Sequence, residues 1–287
     1  MRRIGFIGTE NSHTDHFLRF LNVEQRHPGF RATALADGDS ERNRALAEAG
    51  RIELIVDSPE DLLGQVDAAI ISTRDGGRHR EQAEPLLRAG VPVLVDKPLA
   101  ASVADAEAII AAAEEAGAFL FSGSALRYVP EIAELSTSVP REQLRLVHVI
   151  GPADPESEYA GLFFYGIHHV EAALELLGNP VVKPGSLEVT VTRHDDTTVA
   201  LTRIADVDVV LTFVTPRDGH RTSFHAVATG TEDVRSGPLT LGPDYNAPAL
   251  QRFVTGVETG QAPLSSDQLL SPVVVLATIV EALAAAS

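Results

Sequence analysis

Lys97 stands between Asp96 and Pro98 at the end of the apolar run Val91, Val93, Leu94, Val95. A strand that delivers an acid, a base and a proline in succession sets charge at the carboxyl end of a sheet, where open α/β folds keep their ligands. A lysine there binds a cofactor or moves a proton; the plainer alternative is a solvated charge pair before a turn. His168 carries an imidazole, which titrates near neutrality and so can take or give a proton. It opens an expected helix, with Glu171 one turn later to orient the ring or a nearby backbone group. Residues for a diphosphate come early, in Gly8-Thr9-Glu10-Asn11-Ser12-His13. Only the first glycine of a G-x-G-x-x-G cradle is present, since Glu10 and His13 hold the other two positions. Thr9, Asn11 and Ser12 bring hydroxyl and amide groups instead. Asp37 ends the second apolar run, where a carboxylate accepts both ribose hydroxyls of an adenosine and repels a 2′-phosphate. That favours NAD over NADP; the alternative is a turn-forming residue in Asp37-Gly38-Asp39.

These residues need elements to position them. Residues 4–7, 32–36, 67–73, 91–95 and 119–121 read as buried strands, and 14–25, 41–49, 78–89 and 103–116 as helices between them. Such alternation implies βαβ crossovers and a parallel sheet covered on both faces. Later segments read differently. Runs at 187–193, 199–204, 207–214 and 223–229 alternate on period two and join a strand at 144–150. Helical patterns cover 165–177, 247–259 and 267–286, the last broken at Pro272. The expected fold class is α/β. An N-terminal Rossmann parallel sheet occupies residues 1–122, and a C-terminal α+β domain on an open, largely antiparallel mixed sheet occupies 123–287.

The 287 residues carry 40 acidic and 23 basic side chains, a net charge of −17. That balance opposes phosphate-rich partners, so neither nucleic acid nor a membrane surface is expected. Without cysteine there are no disulfides, thiolate metal ligands or cysteine nucleophiles. The ten histidines form no H-E-x-x-H pattern, so no metal is expected. The start lacks the extended apolar segment of a signal peptide, and the longest greasy stretch, 273–280, is shorter than a bilayer requires. A soluble cytoplasmic protein is the expectation.

The ordered series Gly8, Asp37, Thr73, His79, Asp96-Lys97-Pro98, Gly123-x-x-x-Arg127-Tyr128-x-Pro130 and Gly166-Ile167-His168-His169-Val170-Glu171 resembles the Gfo/Idh/MocA family of NAD(P)-dependent oxidoreductases. The resemblance implies NAD bound by the first domain, a second domain for substrate binding and oligomerisation, and a homodimer or homotetramer formed through the C-terminal sheet. It makes Lys97 the lysine of an E-K-P motif in which Asp96 is one methylene short, and His168 and Glu171 the histidine and acid of a G-x-H-x-x-D segment. Thr73 and His79 then lie on the nicotinamide side, and Arg127, Tyr128, Tyr165 and His169 are candidates for substrate contact. For His169 a structural place on the helix is the stronger reading. The family pattern often has an aspartate four residues before the histidine, where this chain has Phe164, so a less polar substrate is expected. The resulting expectation is an NAD-dependent oxidoreductase interconverting a secondary alcohol and ketone on a sugar-like, cyclitol or less polar small molecule. Two alternatives stay open: an NAD-using epimerase or lyase, and a non-catalytic binding protein with a degenerate cofactor loop.

Overall fold

A computed structural model describes residues 1–217 and 219–286, which form two compact units. The first gathers Met1–Ala100, Ala104–Gly123 and Asn246–Ser265; the second gathers Ala101–Val103, Ser124–Tyr245 and Ser266–Ser287.

In the first unit, strands β1 (Arg2–Ile7), β2 (Phe30–Ala36), β3 (Leu54–Val56), β4 (Ala68–Ile71), β5 (Val93–Val95) and β6 (Leu120–Ser122) run parallel in the order β3-β2-β1-β4-β5-β6. Helices α1 (Ser12–Leu18), α2 (Ser40–Gly50), α3 (His79–Arg88) and α4 (Val103–Ala116) connect them. The chain steps from β1 to β2 on one side and reaches β4 on the other, which opens a crevice at the carboxyl ends of β1 and β4. All four residues of β4 and Ile4, Phe6 and Ile7 of β1 are buried, as a sheet covered on both faces demands. Two elements carry no strong period and were not foreseen, β3 and the 3₁₀ turn Pro59–Leu62. Beyond α1 the chain winds into a π turn, Arg19–Val23, rather than continuing the expected regular helix.

The second unit opens with α5 (Pro130–Ser138), also not foreseen, then β7 (Leu146–Pro152) and α6 (Leu162–Leu176). Strands β8 (Val189–His194), β9 (Thr197–Ile204), β10 (Val207–Val214), β11 (His225–Thr229) and β12 (Val234–Pro238) complete a sheet in the order β12-β11-β7-β10-β9-β8. Only the β7–β10 pair is parallel, so the sheet is mixed and largely antiparallel.

Helix α7 (Ala247–Thr259) departs from the expected division at residue 122, because it packs in the first unit. Its Phe253 is fully buried with ring centroids 6.0 Å from Phe119. A Cβ at Gly256 would lie 2.0 Å from the Phe119 ring, so glycine is what lets the helix settle there. Helix α8 (Ser266–Ala286) runs unbroken through Pro272. By length and composition it is apolar enough to cross a membrane, which the uninterrupted run 273–280 had concealed. In this fold its residues Leu269, Pro272–Leu276 and Ile279 are buried, and it packs on α6 and β8.

Gly256→Val forces the Phe119 ring aside and is expected to cost about 1–3 kcal/mol by overpacking. A lowered urea midpoint checks this, and Phe119→Ala in the same chain should restore part of the loss.

Candidate active site

The loops at the carboxyl ends of β1, β2 and β4 are stitched together. Gly8 donates its N–H to the Ala36 carbonyl (3.2 Å), Ser72 donates its N–H to Ile7 (2.9 Å), and Ser72 Oγ donates to the Gly8 carbonyl (3.0 Å). Gly8 has φ 68°, and a Cβ there would lie 1.8 Å from Thr73 Oγ1, so only glycine admits the β4 loop at this crossing. Glu10, the anion that opposes a diphosphate, has its carboxylate engaged: Oε1 accepts the Arg74 N–H at 2.9 Å. Thr9 is wholly buried and its hydroxyl donates to Asn43, while Ser12 stays exposed.

The shortened acid of the Asp96-Lys97-Pro98 turn finds its partners in the same loop. Asp96 Oδ2 lies 2.7 Å from His13 Nδ1 and accepts Asn11 Nδ2 at 3.3 Å; Asn11 also caps α1 by accepting the His13 N–H. Burial alone would raise the Asp96 carboxyl, but His13 and the neighbouring Lys97 hold it below the usual aspartate range. Lys97 is only 4% exposed and precedes a cis bond to Pro98. His79 straps this turn to the β4 loop, with Nδ1 2.7 Å from the Pro98 carbonyl and Nε2 2.9 Å from that of Thr73. Burial pushes its imidazole pKa down.

A second chain of bonds leads to Asp37. Thr73 Oγ1 donates to Gln82 Oε1 (2.8 Å), Gln82 Nε2 donates to Asp37 Oδ2 (2.9 Å), and Arg78 Nη2 reaches the same oxygen (2.7 Å). Burial opposes ionisation of Asp37, yet the Gly38 N–H, Gln82 and Arg78 together keep its carboxyl below the ordinary value. Thr9, Thr73 and His79, expected to contact a dinucleotide, spend their side chains on these bonds and form the frame of the crevice. Asn43 and Gln82 belong to that frame too, and neither carried a motif that would have marked it.

In the second unit α6 sets His168 and Glu171 on one face, one turn apart. His168 Nδ1 lies 2.6 Å from Ser124 Oγ, and its ring packs edgewise on Tyr165 and Phe224 at 5.5 and 5.6 Å. Glu171 Oε2 accepts the Ser124 N–H at 2.7 Å and the Arg127 Nε. Arg127 is 4% exposed and also pairs with Glu175 Oε2 (3.1 Å) and Asn179, which withdraws it from the candidates for substrate contact. Tyr128 is half-buried at the end of the 3₁₀ turn Ala125–Tyr128, which also carries Arg127.

His169 is withdrawn as well. It is wholly buried between Phe213 and Phe224, at 4.8 and 5.2 Å, and neither ring nitrogen makes a well-formed hydrogen bond. Burial lowers its pKa to about 4, with nearby backbone carbonyls offsetting only part of the effect. Phe164 and Tyr165 instead line a cavity of about 170 Å³ with Pro152, Asp154, Ser157 and Arg221. Arg221 Nη1 donates to the Tyr165 hydroxyl at 2.7 Å, its guanidinium over that ring. No cluster suited to a metal occurs among the described residues.

Residues 2–124 match an oxidoreductase family with an NAD-binding Rossmann fold. The chain is 30% identical over 221 residues to inositol 2-dehydrogenase 1 of Saccharopolyspora erythraea, a match covering 71% of this chain and 61% of that relative. Among solved structures, myo-inositol 2-dehydrogenase of Lactobacillus plantarum superposes with a TM-score of 0.83 at 14% identity, over 100% of this chain and 98% of that one. Scyllo-inositol dehydrogenase of Lactobacillus casei, solved with NAD(H) and scyllo-inositol, gives 0.80 at 15% identity, over 98% and 96%. At such identities these two likenesses are of fold.

Glu171→Gln leaves Arg127 buried without its nearest counter-charge and should cost about 3–5 kcal/mol in chemical denaturation. The pH dependence has a definite sign. A histidine whose folded pKa lies below its unfolded one lends full stability above 6.5, and that stability is lost as the pH falls toward 4. For His169 the loss should be on the order of 2 kcal/mol by about pH 5. His79 acts in the same sense, and Asp96 adds a further loss only at lower pH, as its depressed carboxyl protonates. Urea midpoints measured across this range should flatten in His169→Leu.

Proposed function

We propose that the protein, whose residues 2–124 match the Gfo/Idh/MocA oxidoreductase family, is an NAD-dependent enzyme interconverting a secondary alcohol and a ketone on a sugar-like or cyclitol ring. The observation that carries this reading is the Asp96-Lys97-Pro98 turn, which presents a 4% exposed lysine at the carboxyl end of β5, tied to the β1 loop by His13 and to the β4 loop by His79. The crevice residues fit a dinucleotide: Gly8 admits no Cβ, Glu10 is tied to a backbone N–H, and Asp37 is partly exposed at the end of β2. Gly8, Asn11, Ser12, Asp37 and Lys97 would hold it. Bound NAD supplies the hydride acceptor.

The chain's own residues do the rest. Lys97 orients the hydroxyl and steadies charge as the carbonyl forms, and His168 takes the hydroxyl proton at Nε2. Each assignment stands on its own variant. The cavity beside Tyr165 suits one six-membered ring, its C–H face on Phe164 and Tyr165, with Asp154, Ser157 and Arg221 at its polar margin. Aromatic carbon where an acid is common favours a ring with fewer hydroxyls on that face.

The same reading makes the protein cytoplasmic and a homodimer or homotetramer, with no nucleic-acid or membrane partner. The second unit's sheet supports self-association, because its residues His148, Ile150, Val199, Leu201, Val210 and Val227 are half-buried or exposed on one face.

NADH should bind with energy-transfer fluorescence, and a panel of cyclitols and aldoses, myo- and scyllo-inositol included, should yield NADH. Lys97→Ala and His168→Ala should each lower kcat by about 10²-fold or more without unfolding the chain. Complete absence of nucleotide binding at millimolar concentration sinks the reading, and product formation without net change in NAD points to an epimerase or lyase. Arg221→Ala should raise KM for the ring substrate and leave kcat nearly unchanged.

A further inference from the structure

We propose that Ser124 is the positioning residue of the proton-transfer histidine, an inference that rests on His168 acting as the base. Ser124 is wholly buried and held at three points. Its N–H donates to Glu171 Oε2 at 2.7 Å, its Oγ accepts the Leu126 N–H at 3.1 Å, and the same oxygen lies 2.6 Å from His168 Nδ1.

The inventory of that hydroxyl decides what it can do. A serine oxygen has one hydrogen and two lone pairs. Leu126 uses one lone pair, and the other accepts Nδ1–H, which fixes the neutral ring as the tautomer with a bare Nε2. That nitrogen can take the hydroxyl proton, and Nδ1–H goes on donating to the same oxygen in the imidazolium that results. One residue thus stays bonded to the imidazole before and after transfer, in either direction of an alcohol–ketone reaction. A carboxylate at the same place would favour the charged ring throughout.

Glu171 spends Oε2 on the Ser124 main chain and on Arg127, and Arg127 is fixed in turn by Glu175 and Asn179. This buried network holds the backbone of Ser124, Ser124 holds Nδ1, and the flanking Tyr165 and Phe224 rings limit rotation of the imidazole plane. With Nδ1 held by Ser124, Nε2 is the nitrogen assigned to the reacting proton. Held this way, a base keeps its geometry through a neutral hydroxyl.

The test reads the ring directly. The full chain with ¹⁵N-labelled histidine and bound NADH is examined by two-bond ¹⁵N–¹H correlation, the His168 signals being identified by their loss in His168→Gln. The wild type should show one neutral tautomer, and Ser124→Ala an averaged mixture of both. Ser124→Thr, which keeps the hydroxyl, should return the single tautomer. Should Ser124→Ala fail to fold, Ser124→Cys retains the volume, weakens the bond and gives the same readout. With whichever polyol of the panel yields NADH, Ser124→Ala should lower kcat on the order of tenfold to a hundredfold, leaving NADH affinity unchanged. A wild-type tautomer pattern in Ser124→Ala, or a kcat within about twofold of wild type, overturns the proposal. Full turnover in His168→Gln instead removes the base assignment, and the tautomer pattern still decides whether Ser124 grips the ring.

Discussion

A carboxylate taken out of water must be answered within its own unit, and Asp96 and Glu171 are where this protein meets that demand. Each is at most 5% exposed, and an unpaired buried carboxylate costs several kcal/mol. Asp96 is answered by His13 and Asn11, Glu171 by Arg127 and the Ser124 N–H. Each answer also fixes a loop. The first ties the segment after β1 to the end of β5, and with it the turn that holds Lys97. The second ties the segment after β6 to α6, and with it the surroundings of His168. Charge burial therefore orders both sets of chemical groups, beyond what the packing of strands and helices requires.

The departures from a glycine-rich phosphate loop are bonded into the rest of the crevice. His13, at the third glycine position of that pattern, lies 2.7 Å from Asp96 Oδ2. Glu10 stands at the other glycine position and is engaged by the Arg74 N–H. Neither substitution leaves an idle charge in the crevice. At α6 the replacement has another character. Phe164 joins Tyr159 and Tyr165, each ring 4.9 Å from the next, and builds an aromatic wall where a carboxylate would have been hydrated or paired.

Much of the fold was legible because burial imposes a period. The two-sided apolar runs of β1, β4 and β5 could belong only to a covered parallel sheet, and the alternation at 199–204 and 207–214 marked a sheet with one inner face. Helix α4 and strand β10 begin and end where the pattern places them. Strands β3 and β12 are short and mostly exposed or half-buried, so they show neither a buried apolar run nor an alternation. Helix α7 showed its amphipathic stripe but not its destination, since the stripe says that a face is buried and not against what. Its place in the first unit depends on one missing Cβ at Gly256 and the Phe119 ring that uses the space.

The sequence by itself determined which residue types stand at the ends of the strands, Gly8, Asp37 and Lys97, and that His168 lies on a helix. It did so because strand ends and helical stretches are set by local pattern, and the chemistry at them by side-chain type. Only the tertiary structure decided what each of these groups is bonded to. Arg127 reads as a binding residue until Glu171, 44 positions later, is found beside it, and Asp96 meets Asn11 from 85 positions away. Ser124 had no signal at all, being an ordinary serine after a strand. Hydrogen bonds act over about 3 Å and are indifferent to separation along the chain, so no local period encodes them. They exist only once both partners have been folded into reach.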